Sequence, residues 1–96
     1  MLQVAMTNGT IPAVRGELDF SNLSALDAWF DGLDGELVNV DLSAVTFFDS
    51  CALRAFLRAR LRNPRLRIVN PSAAVVKVLE ITDMFDYLVN GRENAQ

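Results

Sequence analysis

Two short apolar runs open the chain, Leu2 to Met6 and Ile11 to Val14, with Thr7-Asn8-Gly9-Thr10 between them. Asn-Gly between apolar runs predicts a β-hairpin, because a type I′ turn needs positive φ at both central residues. Pro12 has no amide hydrogen for a ladder, which puts it at an edge or irregularity and the hairpin at the sheet margin. Gly16-Glu17-Leu18-Asp19 closes the second strand. The apolar spacing then changes: Leu23, Leu26, Trp29, Phe30 and Leu33 follow the 3.6-residue period of a helix with one buried face. Ser21 or Asn22 suits its first-turn cap, and Gly32 suits a left-handed helix end. At that spacing Trp29 reads as core rather than as a binding aromatic.

Period-two alternation returns from Glu36 to Leu42, with Val38, Val40 and Leu42 on one face and Leu37, Asn39 and Asp41 on the other, and its apolar content suggests the sheet interior. Past Phe47-Phe48-Asp49-Ser50 a second helical period starts, buried through Leu53, Phe56, Leu57 and Leu61 and supported by Ala52, Ala55 and Ala59. Arg54, Arg58 and Arg62 fall one turn apart on its other side. Asn63-Pro64 ends that helix. Leu66 to Val69 is the fourth strand, Asn70-Pro71 reads as a cap with proline in the first turn, and Val75, Val78 and Leu79 bury a third helix. Met84 to Val89 forms a short last helix. The order β-β-α-β-α-β-α-α predicts an α/β fold over residues 1–96: one small mixed sheet of about four strands, with three to four helices packed against it and right-handed crossovers.

The chain has 96 residues, room for a single core, and with 51% hydrophobic residues it buries one without staples. It has one cysteine and no histidine. That removes disulfide frameworks, Ser-His-Asp and Cys-His nucleophile units, and zinc sites built on imidazole or several thiolates. Carboxylate-only chemistry would need a cleft that a domain of this size rarely provides. No apolar run approaches the roughly 18 residues of a membrane span, and Met1 to Met6 lacks the features of a signal peptide. A cytoplasmic protein with no direct membrane insertion is expected.

The net charge of −3 is unevenly spread. Eight acidic and no basic residues lie from Glu17 to Asp49, and seven basic and no acidic ones from Arg54 to Lys77. Such blocks are usually solvated helix faces, and otherwise they orient a protein partner. Overall acidity and few aromatics argue against nucleic acid.

The informative junction is Asp49-Ser50-Cys51-Ala52-Leu53, where a strand feeds directly into a helix. First-turn amides there are unpaired and the helix dipole is positive. Locally this is an ordinary helix start, with serine a preferred N-cap. The wider pattern adds more. Gly16-Glu17-Leu18-Asp19, the run from Val40 to Leu53, Leu66-Arg67-Ile68-Val69-Asn70-Pro71-Ser72 and Val78-Leu79-Glu80-Ile81-Thr82 together resemble the STAS domain, specifically the bacterial anti-sigma factor antagonists, in order over almost the whole chain. In that family a strand ends in Asp-Ser-Ser-Gly-Leu, and the serine after the aspartate is phosphorylated, which matches Ser50. Here Cys51-Ala52 replaces Ser-Gly, and Asp83 stands where glycine commonly follows the threonine.

The resemblance implies a switch without catalysis and without a cofactor. The unmodified domain would bind an anti-sigma factor that is itself a serine kinase, freeing a sigma factor for transcription. That kinase, using ATP, would phosphorylate Ser50, and a serine phosphatase would reverse it. Asp19 matches the aspartate of the family's partner surface, with helix capping as its equally weighted alternative. Ser21 and Asn22 join it as rim contacts beside Asp49, Ser50, Cys51 and Ala52. Cys51 near a helix N-terminus also allows a redox role, although a buried small residue is the more frequent case. The arginine stripe is a second contact face or, as favoured, a solvated surface. Two rivals remain: the unphosphorylated STAS subunit of a bacterial lipid-transport ABC complex, and an enzyme using Ser50 or Cys51, for which the activating base and the G-x-S-x-G elbow are missing.

Overall fold

The long second strand organises the sheet. In the computed structural model, which describes residues 3–7, 11–32 and 38–91, β1 (Gln3–Thr7) and β2 (Ile11–Leu18) pair antiparallel, with Gln3 opposite Arg15 and Thr7 opposite Ile11. The predicted Asn8-Gly9 turn lies outside the described residues. β1 is the sheet edge, but β2 is interior, so the marginal placement applies to β1 alone. Pro12 stands opposite Met6, just before the parallel ladder begins at Ala13, where its missing donor matters least.

β2 continues past Val14 and changes partner as it goes. Ala13 pairs in parallel with Asp41 of β3 (Asn39–Asp41), whereas Gly16, Glu17 and Leu18 pair with Val45, Phe47 and Phe48 of β4 (Val45–Phe48). The register shifts between Gly16 and Glu17. Gly16 has φ of 91°, a region open to glycine at little steric cost, and its amide donates to Ala44 O at 3.1 Å. β3 pairs in parallel with β5 (Arg67–Val69), giving the order β1-β2-β3-β5 with β4 also on β2. The mixed sheet therefore has five strands rather than about four. The extra one arises because the chain turns at Leu42: its carbonyl accepts from Val45 and Ser72, and its amide donates to Val69 O.

A short 3₁₀ turn (Phe20–Asn22) leads into α1 (Leu23–Asp31), followed along the chain by α2 (Ser50–Arg62), α3 (Ala73–Ile81) and α4 (Phe85–Leu88). Alternation sends Val14, Leu18, Val40, Leu42 and Ile68 into the core, where they join Leu26, Phe30, Phe56, Val75 and Leu79. Phe30 and Phe56 meet edge-to-face at 4.9 Å, fixing α1 against α2. Trp29 packs on this core, half-buried. Leu33 and the start of the strand predicted from Glu36 lie outside the described residues.

Several local expectations change. Asp19 takes the capping role given as its alternative, at the 3₁₀ turn, whereas Asn22 holds the N-cap position of α1 but its side chain makes no cap bond to that helix. Gly32 ends α1 with φ of −82°, so it is not left-handed. Ser72 caps α3 and accepts from Val75 N, while Asn70 has φ of 50° and donates to Asp41 instead. Asp83, at φ of 62°, occupies the left-handed position after α3, where its amide donates to Glu80 O and that of Met84 to Leu79 O. On α2 the buried face runs through Ala52, Leu53, Phe56, Ala59 and Arg60, leaving Leu61 76% exposed.

Candidate functional site

The site forms where two parallel strands end together. Leu18 of β2 stands opposite Phe48 of β4, and the Asp49 amide donates to Leu18 O at 3.3 Å. Each strand then passes through an aspartate into a helical turn, Asp19 on one side and Asp49 on the other, both with extended backbone. The two helix entries are thereby placed side by side at the carboxyl edge of the sheet.

Asp49 is the N-cap of α2, and its Oδ1 accepts from Ala52 N at 2.9 Å. This takes the role that the isolated Asp-Ser pair had offered to serine. Ser50 becomes the first helical residue and is exposed, and among the described residues its hydroxyl makes no hydrogen bond. Cys51 is half-buried and Ala52 is 1% exposed, so the methyl of Ala52 belongs to the core rather than to the surface.

On the neighbouring entry, Asp19 Oδ1 accepts from Ser21 N at 2.9 Å and from the Ser21 hydroxyl. The hydroxyl bond and then the backbone bonds of Ser21 and Asn22 outweigh desolvation and hold the Asp19 carboxyl below its usual value. Asn22 closes the capping box: its Oδ1 accepts from Asp19 N at 3.0 Å, and its amide nitrogen donates to Glu17 O. Asn22 is buried, so it holds the loop in place, while Ser21 is exposed. Asp19 thus combines a capping role with a half-exposed place beside Ser50's loop.

Two residues at this edge escaped the sequence reading. Phe20 is 75% exposed between Asp19 and Ser21, and Phe47, opposite Glu17, is 48% exposed. Phe20 carries only a misleading signal, since it stands three residues before Leu23 and so continues the apolar spacing of the buried face. Phe47 carries none, because an apolar pair in a strand does not say which member faces out.

Arg58 and Arg62 of the basic stripe turn to α1, pairing with Asp27 and Asp31. A shallow groove runs beside these pairs, lined by Leu61 as well, and none of the predicted site residues lines it. Among the described residues no three metal-ligating side chains cluster, and no helix is long and apolar enough to cross a membrane. This edge presents an exposed hydroxyl at a helix start, next in the chain to the capping Asp49, with Asp19 and the exposed Phe20 following the paired strand end.

Comparison with known proteins agrees with this architecture. A crystal structure of an anti-sigma factor antagonist from Mycobacterium paratuberculosis superposes with a TM-score of 0.73 and 20% sequence identity, covering 92% of this chain and 81% of that one. Among curated proteins no sequence match was found. The family model described as "Mlab, STAS domain" matches residues 7–90, from the end of β1 to beyond α4, and the chain belongs to the STAS domain family.

Proposed function

We propose that this protein is an anti-sigma factor antagonist, a non-enzymatic protein-binding switch acting in the cytoplasm. In the unmodified state, the surface around Asp19, Ser21, Asp49, Ser50 and Cys51 binds an anti-sigma factor that is also a serine kinase. The kinase supplies ATP: the Ser50 oxygen attacks the γ-phosphorus, the bond to ADP breaks, and the hydroxyl proton passes to a base on the kinase. A serine phosphatase returns the hydroxyl by hydrolysis, releasing inorganic phosphate. The observation that carries the reading is the Ser50 hydroxyl itself, exposed and unbonded because Asp49 has taken the cap. The antagonist identity of the mycobacterial structure supports it.

The switch follows from charge. Phosphate adds roughly −1.5 to −2 charges beside Asp49 and Asp19, on a surface fitted to a neutral hydroxyl. Each 1.4 kcal/mol lost at the interface is about tenfold in affinity, so a few kcal/mol release the partner. The test is incubation with candidate anti-sigma kinases and ATP, mapping of the modified residue by mass spectrometry, and comparison of Ser50→Ala with Ser50→Asp. Ser50→Ala should bind and resist switching, whereas Ser50→Asp should bind at least tenfold more weakly. Equal affinities would remove the switch.

A second reading, the unphosphorylated STAS subunit of a lipid-transport ABC complex, is favoured by Cys51-Ala52 in place of Ser-Gly and by a family description that is not that of an antagonist. Affinity capture separates the two, recovering a kinase-like anti-sigma factor in one case and an ABC ATPase in the other.

A further inference from the structure

The arginine stripe on α2 is not three equivalent charges. Arg58 Nη2 lies 3.2 Å from Asp27 Oδ2, and Arg62 pairs with Asp31. Each step of one turn along α2 matches a step of one turn along α1 in the same direction, so the facing sides of the two helices keep a constant offset. Carried one turn further toward the N-termini, that offset sets Arg54 against Leu23, which has no charge to offer. Arg54 is exposed, and among the described residues it has no carboxylate within ion-pair distance. The residue one turn before it on the same face of α2 is Ser50, whose hydroxyl is equally unengaged.

We propose that Arg54 is the intramolecular counter-ion of the phosphate carried by Ser50 in the modified protein. The inference rests on the reading of Ser50 as a phosphoryl acceptor and adds the group that receives the new charge. An acidic group one turn N-terminal to a basic one is the favourable orientation of such a pair on a helix, and guanidinium-to-phosphate bonds are among the stronger charge-assisted contacts. The first-turn amides of α2 offer the phosphate partial positive charge. The full charges next to it in the chain and on the paired strand end are the carboxylates of Asp49 and Asp19, and among the described residues Arg54 is the unpaired cation one turn away on the same helix. With it, the phosphate is drawn along α2. Arg58 and Arg62, held by α1, stay out of this exchange.

The test uses the full chain with phosphoserine installed at position 50 during synthesis, so that no kinase is needed, and follows the second ionisation of the phosphate by ³¹P NMR. Arg54→Gln should raise the midpoint by about 0.3 pH unit, and Arg54→Lys should restore most of the difference. Arg58→Gln, which removes the same charge one turn away, should leave the midpoint within about 0.1 unit. Equal midpoints in wild type and Arg54→Gln would overturn the pairing, and so would an equal shift in Arg58→Gln, which would reduce the effect to net charge. Failure of any anti-sigma kinase to modify Ser50 in the unmodified protein is a separate result. It would sink the parent reading without altering these titrations.

Discussion

At the start of α2 two adjacent polar residues have different tasks. Aspartate and serine are comparably good N-caps, so the sequence places Ser50 at the helix mouth without deciding which of the pair does the capping. The decision comes from outside the helix: the Asp49 amide is fixed to Leu18 O, which keeps Asp49 extended and turns its carboxylate onto Ala52 N. Stability measurements should therefore separate the neighbours. Asp49→Ala loses the cap and should lower the unfolding free energy by about 1 kcal/mol, whereas Ser50→Ala should stay within about 0.5 kcal/mol of wild type. Urea denaturation of the two variants checks this. A larger loss for Ser50→Ala would mean that its hydroxyl is used within the fold and is not free for a partner.

The elements show where sequence periodicity suffices and where it fails. Leu26, Phe30, Phe56, Val75 and Leu79 lie where their helical spacing puts them, in the core. Leu61 fits the same spacing, yet α2 turns Arg60 inward instead. The Arg60 guanidinium donates to Pro64 O and Gly91 O and lies 4.6 Å from the centre of the Tyr87 ring. Two of these three contacts come from residues far along the chain, so no window around α2 reveals that an arginine is the buried member and a leucine the exposed one. The bend in β2 is also tertiary in origin. Gly16 marks the point at which the strand leaves β3 for β4, and its positive φ is what lets Leu18 reach Phe48 and bring Asp19 beside Asp49. Gly16→Ala should cost about 1–2 kcal/mol through backbone strain. Thermal unfolding measures that loss, and an unchanged midpoint would show that the bend does not depend on glycine.

Across the whole molecule, Asp41 ties the two connections that shape the sheet. The alternation of residues 36–42 sets it opposite the apolar face, but it is 6% exposed: one carboxylate oxygen accepts from Ser43 N at 2.8 Å and the other from Asn70 at 3.1 Å. The first bond holds the break between β3 and β4, and the second reaches the turn between β5 and α3. Burial pushes the Asp41 carboxyl up, but the hydrogen bonds from Ser43 and Asn70 outweigh it and leave the group below its ordinary value of 3.8. A carboxyl that is more acidic in the folded state stabilises the fold above its unfolded pKa, and this contribution disappears as pH falls through the lower, folded value. Wild type should therefore exceed Asp41→Asn in unfolding free energy by a constant amount above about pH 5, with the gap closing below about pH 4. Asp19 shifts in the same direction, but it is present in both proteins and cancels in the difference. Urea unfolding of both proteins from pH 3 to 7 provides the measurement. A gap that stays constant to the acid end would show that the charge on Asp41 does not hold the two connections together.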